Sequence, residues 1–290
     1  MGCFAVILYR RQKRLWIGGL TVALVVVIGL SFAVVWPSKG LSSSWSSGFI
    51  GFPQDMGGVL TTRTLTQNFS VAPGSFLSVE VPLGDVLVLP GTGTEVDVRT
   101  VVSAQGTSAA NAKQNAQSVQ WERATPNAQE IDLSLDSTLP NALRGSRTVI
   151  TIPSKMQISL TDHLGNVTSS GTFEALSVLD NMGNITNRGN VLGELDLQSD
   201  LGDILQEGSV GSQTVIQDHL GNIQVIVPSR QTLQIDATTD MGSVYSRLPV
   251  LGGTVTDKGL HGQIGRGRLS GTVQITDNLG DITFEGANTP

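Results

Sequence analysis

The chain has 290 residues, 34 of them Gly, 11 Pro and one Cys, and only 14 % are charged, against roughly 25 % in an average soluble domain. A hydrophobic share of 39 % is enough for a core and excludes wholesale disorder, while a single Cys excludes both a disulfide framework and a Cys-based zinc site. The net charge of −6 gives no footprint for nucleic acid, and it averages two unlike parts: residues 1–40 carry Arg10, Arg11, Lys13, Arg14 and Lys39 without an acid, and residues 41–290 carry 13 basic and 24 acidic residues.

Leu15 to Trp36 is a run of 22 residues without a charge. As a helix it would be about 33 Å long, enough for a bilayer core of about 30 Å. Trp16 and Trp36 stand at its two ends, where amphipathic rings favour the interface. The run is longer than the h-region of a cleaved signal peptide and no A-x-A site follows it. The sequence therefore predicts a cytosolic tail over 1–14, a transmembrane helix over 15–36 and an extracytoplasmic remainder, because four basic residues precede the span and one follows it. Cys3 reads as a free cytosolic thiol, ahead of S-palmitoylation. Residues 37–60, Ser- and Gly-rich at their start, read as a tether.

Residues 61–290 read as one β domain. Phe76 to Val81 and Asp85 to Leu89 predict a strand pair around Leu83-Gly84-Asp85. Glu95 to Val102 alternates again, residues 107–119 are Ala- and Gln-rich and predict a helical insertion, and 129–135 and 147–152 predict further strands.

A short motif then repeats. It occurs as Asp162-His-Leu-Gly165-Asn-Val, Asp180-Asn-Met-Gly183-Asn-Ile, Ser199-Asp-Leu-Gly202-Asp-Ile, Asp218-His-Leu-Gly221-Asn-Ile, Thr239-Asp-Met-Gly242-Ser-Val and Asp277-Asn-Leu-Gly280-Asp-Ile. A degenerate copy, Leu260-His-Gly262-Gln-Ile, lies between the last two, and from Gly165 onward the glycines are 18, 19, 19, 21, 20 and 18 residues apart. Periods of about 20 residues mark solenoids. Apolar pairs at period two, such as Ile158 and Leu160 or Leu195 and Leu197, precede the motif, and that is the strand period. The pattern predicts an all-β, right-handed parallel β-helix with 18–21 residues per coil. In that reading the Leu or Met before each Gly plugs the core at a corner. The Gly allows positive φ or close approach, and the Asp and Asn residues close Asx-type turns. The structural corner residues are Gly84, Gly165, Gly183, Gly202, Gly221, Gly242 and Gly280, with Asp162, Asp180, Asp218 and Asp277.

The combination of Val71-Ala-Pro-Gly-Ser-Phe, Leu83-Gly84-Asp85-Val86-Leu-Val and the downstream Gly-Asn/Asp-Val/Ile repeats resembles a bacterial family of putative adhesin domains, also described as a domain of unknown function. The resemblance covers about residues 65–290. It implies a right-handed β-solenoid, a surface or envelope role and often a membrane anchor, and it brings no activity or catalytic residues.

His163 and His219 hold one repeat position but sit three coils apart, about 14 Å, too far to share a zinc ion. Asp162 and Asp180, with Asp203 and Asp281, invite calcium, yet the Gly-Gly-x-Gly-x-Asp nonapeptide of calcium β-rolls is absent. A polysaccharide-cleaving site needs clustered carboxylates, and residues 151–290 offer only Phe173, Tyr245 and Phe284 for stacking sugars. No G-x-S-x-G elbow is present. The expectation is a non-catalytic, membrane-anchored protein without cofactor or metal, binding a surface glycan or an envelope protein, and not nucleic acid. A sensor ectodomain of an envelope-stress system and a polysaccharide-active enzyme are the alternatives.

Overall fold

The computed structural model describes residues 58–137 and 139–287. The expected cytosolic tail, transmembrane helix over 15–36 and nearly all of the tether lie outside the described residues. Among those described, no helix is long and apolar enough to cross a membrane.

Among the described residues twenty strands form one mixed sheet that folds on itself, and most of them bury alternate side chains. In Met156–Asp162 the inward residues are Met156, Ile158, Leu160 and Asp162, as period two requires. Along the first face, neighbour by neighbour, run β5 (Val119–Asn127), β6 (Glu130–Ser137), β2 (Phe76–Val81), β8 (Met156–Asp162), the C-terminal half of β9 (Val167–Asp180), β11 (Glu194–Ser199), β13 (Gln213–Leu220), β19 (Gly271–Leu279), β15 (Leu233–Met241), β18 (Gly259–Ile264) and β17 (Val250–Thr256). Along the second run β1 (Val59–Ser70), β4 (Glu95–Gly106), β7 (Leu143–Pro153), β3 (Asp85–Gly91), the N-terminal half of β9, β10 (Ile185–Val191), β12 (Ile204–Glu207), β14 (Ile223–Pro228), β20 (Ile282–Ala287) and β16 (Val244–Ser246). The helix α1 (Ala109–Gln117) packs on β4 and β1 and is capped by the Ser108 hydroxyl, which accepts from the Asn111 N–H.

The two faces enclose one core of stacked apolar columns. Val86, Val167, Ile185, Ile204, Ile223, Ile282 and Val244 form one column, and Val79, Leu160, Val178, Leu197, Ile216, Ile275 and Ala237 form the facing one. All of these side chains are buried. Like residues stacked about 4.8 Å apart exclude water along the whole length of the sheet.

The expected right-handed parallel β-helix, wound coil after coil, is corrected on two counts. The sheet is mixed: β1–β4, β4–β7, β5–β6, β15–β18 and β17–β18 are antiparallel, and the result is a barrel-like sandwich of two faces. Nor does strand order follow the chain. β13 pairs with β19, which pairs in turn with β15. The degenerate copy at Gly262 is part of β18, in a hairpin with β17. That hairpin takes up the residues between Gly242 and Gly280, so an apparent 20-residue step there is not a rung at all. The antiparallel strands at both ends cover edges that a purely parallel stack would leave open.

This order is testable by crosslinking. Leu220 pairs with Leu279, and Leu279 with Met241, and all three side chains are exposed. A Leu220→Cys/Leu279→Cys chain is expected to oxidise to an intramolecular disulfide, and a Leu220→Cys/Met241→Cys chain is not. Mass spectrometry after mild oxidation reads the outcome, and winding in chain order would reverse it.

Candidate functional site

The repeated motif lies where the chain turns from the first face to the second. Stacked in space, the rungs follow the order Gly84, Gly165, Gly183, Gly202, Gly221, Gly280, Gly242. Each glycine N–H donates to the carbonyl of the Leu or Met that precedes the next glycine: Gly84 to Leu164 at 2.7 Å, Gly165 to Met182 at 3.0 Å, Gly183 to Leu201 at 2.9 Å, Gly202 to Leu220 at 3.0 Å, Gly221 to Leu279 at 3.1 Å and Gly280 to Met241 at 2.9 Å. No side chain fits at these positions. A Cβ on Gly183 would lie 1.5 Å from the Gly165 carbonyl oxygen, and one on Gly280 would lie 1.5 Å from that of Gly221.

Three side-chain columns flank this backbone seam. From Gly183 onward the Leu or Met before each Gly points outward, contrary to the expectation that it plugs the core, whereas Leu83 at the first rung is partly buried and packs against the core. Met182, Leu201, Leu220, Leu279 and Met241 are 43 %, 44 %, 47 %, 45 % and 65 % exposed. The core at the corner is closed instead by the residue two after the glycine, such as Ile185 or Ile204, at 1 % exposure.

The Asn or Asp after each Gly forms a ladder between rungs rather than a turn within its own rung. Asp85 Oδ1 accepts from the Asn166 N–H, Asn166 from Asn184, Asn184 from Asp203, Asp203 from Asn222, Asn222 from Asp281 and Asp281 from Ser243, at 2.8–3.1 Å. Each bond satisfies a backbone donor that the corner would otherwise leave unpaired.

The third column points inward. Asp162, Asp180, Ser199, Asp218, Asp277 and Thr239 are stacked neighbours and all are buried. Oδ1 of Asp162, Asp180, Asp218 and Asp277 accepts from the N–H two residues on, the expected Asx turn. Their Oδ2 atoms and the Ser199 hydroxyl are buried without a hydrogen-bond partner. Burial pushes the Asp162 carboxyl up to about 7, with the neighbouring Asp180 adding to the shift. Burial likewise raises Asp180 to about 7, against the Met182 N–H that favours its charged form. Asp218 is pushed up to about 6 by burial and by Asp277, and Asp277 to about 6 by burial. Desolvation disfavours the charged form in all four. Ser199 separates the two aspartate pairs, so no carboxyl in the column has two carboxyl neighbours.

His163 and His219 are not brought together. His163 lies 3.5 Å from Glu80 and 3.2 Å from the Asn181 amide, and His219 Nδ1 is 2.8 Å from Asp200. Asp162 and Asp180 are adjacent, while Asp203 and Asp281 are separated by Asn222 on a different column. Among the described residues no group of three or more His, Cys, Asp or Glu is placed to hold a metal ion. One buried network had no signal in the motif: Ser169, Asn187 and Gln206 stack inside the second face. The Ser169 hydroxyl donates to the Asn187 carbonyl oxygen at 2.9 Å, and the Asn187 amide to the Gln206 oxygen at 2.7 Å. Polar residues at alternate strand positions mark it in hindsight.

Between the outward leucines and the Asn/Asp ladder runs a shallow groove of about 380 Å³, floored by Gly202, Gly221 and Gly280 and walled by Leu201, Leu220 and Leu279 on one side and Asn184, Asp203 and Asn222 on the other.

No protein-family model matches the chain, and no curated protein matches it. Solved structures similar to it are bacterial. A putative cell adhesion protein from Clostridium sporogenes is 15 % identical, covering 77 % of this chain and 100 % of its own, at a TM-score of 0.45. A putative adhesin from Bacteroides fragilis is 13 % identical over 77 % of this chain and 97 % of its own, at 0.37. A putative lipid binding protein from Parabacteroides distasonis is 7 % identical over 76 % and 96 %, at 0.23. Likeness at this level transfers neither activity nor ligand.

Two outcomes follow from the corner. Gly183→Ala forces the two rungs apart and is expected to cost more than about 3 kcal/mol in urea unfolding, beyond the usual range for a point substitution. The aspartate column sets a pH dependence. A folded-state pKa raised above the ordinary 3.8 means that the folded chain holds the proton more tightly, so stability is highest below the unfolded value and is lost as pH rises towards about 7. Asp180→Asn keeps the Oδ1 acceptor and removes the charge. It is expected to raise Tm by about 2–4 °C near pH 8, the shift of roughly 1 kcal/mol in a domain of this size, and to change little near pH 4. Calorimetry at both values checks this; an equal shift at both would exclude ionisation as the cause.

Proposed function

We propose that the chain is a non-catalytic binding protein of the cell surface, serving adhesion or envelope scaffolding through contact with a surface glycan or an envelope protein. One observation carries the reading: the polar side chains of the repeat are engaged in building the sheet. The Oδ1 atoms of the Asn/Asp ladder accept from the next rung, and those of the inward aspartates from their own turns. The repeat thus makes a rigid scaffold and leaves a regular outer edge for contact. The inward carboxyls, which could otherwise serve acid–base work, are sealed from solvent at 0–2 % exposure.

The test has two arms. Protease treatment of intact cells is expected to remove the domain, and the purified chain is expected to sediment with envelope material while releasing no soluble sugar or peptide from it. New reducing ends that disappear on a single Asp substitution would overturn the reading in favour of an enzyme.

A further inference from the structure

We propose that the groove beside the leucine ridge docks a polypeptide segment carrying Lys or Arg next to apolar side chains; this rests on the binding role above and names its face and its partner. Single exposed leucines are ordinary on a protein surface. Here Met182, Leu201, Leu220 and Leu279 stand on four successive rungs, each 43–47 % exposed, so they form one continuous apolar row about 14 Å long. Aligned rows of this kind mark contact surfaces.

The charge along these four rungs is one-sided, and the nearest ammonium, Lys258 Nζ, is engaged with the Gly242 carbonyl on the rung beyond, at 2.6 Å. The flanking positions of these four rungs hold Asn181, Asp200, His219 and Asn278 on one side and Asn184, Asp203, Asn222 and Asp281 on the other, and none is Lys or Arg. The next positions outward, Leu179, Gln198, Gln217, Thr276, Thr186, Leu205, Gln224 and Thr283, add no basic residue.

The carboxylates at 203 and 281 are not demanded by the scaffold. The ladder needs one acceptor oxygen per rung, and Asn166, Asn184 and Asn222 supply it without charge. Asp203 and Asp281 are exposed and stand two rungs apart, about 9.6 Å. Basic residues at i and i+3 of a segment in the polyproline II conformation share one face about 9.3 Å apart and match that interval. Their aliphatic stems would lie on Leu201, Leu220 and Leu279 while the head groups reach the carboxylates, the usual division of labour in long cationic side chains. A second copy of this chain would bring acid against acid, and an anionic membrane would be repelled in the same way.

Panning a random library of short peptides on the purified full chain is expected to enrich sequences with Lys or Arg beside apolar residues. An enriched peptide, followed by fluorescence anisotropy, is expected to bind at least about tenfold more weakly to Asp203→Asn/Asp281→Asn and to Leu201→Ser/Leu220→Ser chains, and to lose affinity as salt is added. Both double variants alter exposed positions, and an unchanged unfolding midpoint shows that the fold is retained. Several results would overturn the proposal: enrichment without basic residues, affinity unchanged in both variants, binding to phosphatidylglycerol vesicles instead of peptide, or a dimer that Leu201→Ser/Leu220→Ser abolishes. Each of these leaves the binding role standing, whereas glycan turnover would remove that role and leave the peptide result to be judged separately.

Discussion

Everything in this structure depends on how closely two rungs can approach at the corner. The glycine N–H reaches the carbonyl of the next rung at 2.7–3.1 Å, and the space that a Cβ would need is filled by the neighbouring glycine's carbonyl oxygen. That contact holds the corner in register. Both faces inherit it, because each rung passes one strand to each face through the same turn.

With register held, side chains at equivalent positions must stack, and stacking has opposite consequences for different groups. Valine, isoleucine and leucine gain from it, since columns of like apolar side chains leave little water between rungs. Asparagine gains too, because an amide oxygen at 4.8 Å spacing meets the next backbone N–H. Carboxyl groups stacked in a dry interior do not. Burial and mutual repulsion raise their pKa values to about 6–7, and a serine interrupts the column where a third successive aspartate would stand. Ionisation of the inward carboxyls therefore withdraws stability, while the outer Asn and Asp Oδ1 atoms are held by the ladder.

The edge that remains available combines an apolar row with the exposed carboxylates of Asp203 and Asp281. A sheet built of identical rungs repeats any outward feature at the same interval, so four modest side chains become one surface. The same repetition spaces the charges.

The strands, the corner glycines and the inward Val, Ile and Leu positions were legible in the sequence, because period-two alternation and a turn that only glycine fits are local signals. So was the placement of Asp162, Asp180, Asp218 and Asp277 in Asx turns. The direction of the Leu and Met side chains was not, since an apolar residue beside a glycine reads as core until the backbone at the corner is known. The partner of each Asn or Asp was not legible either: an Asx turn and an inter-rung ladder use the same residue. Strand order was the largest difference. Gly262 continues the spacing of the true corners, yet it sits in an antiparallel hairpin, and β19 lies between β13 and β15. Local spacing determines what each segment can become. Which segments lie side by side is decided by long-range backbone hydrogen bonds and by the covering of open edges, and those exist only in the folded sheet.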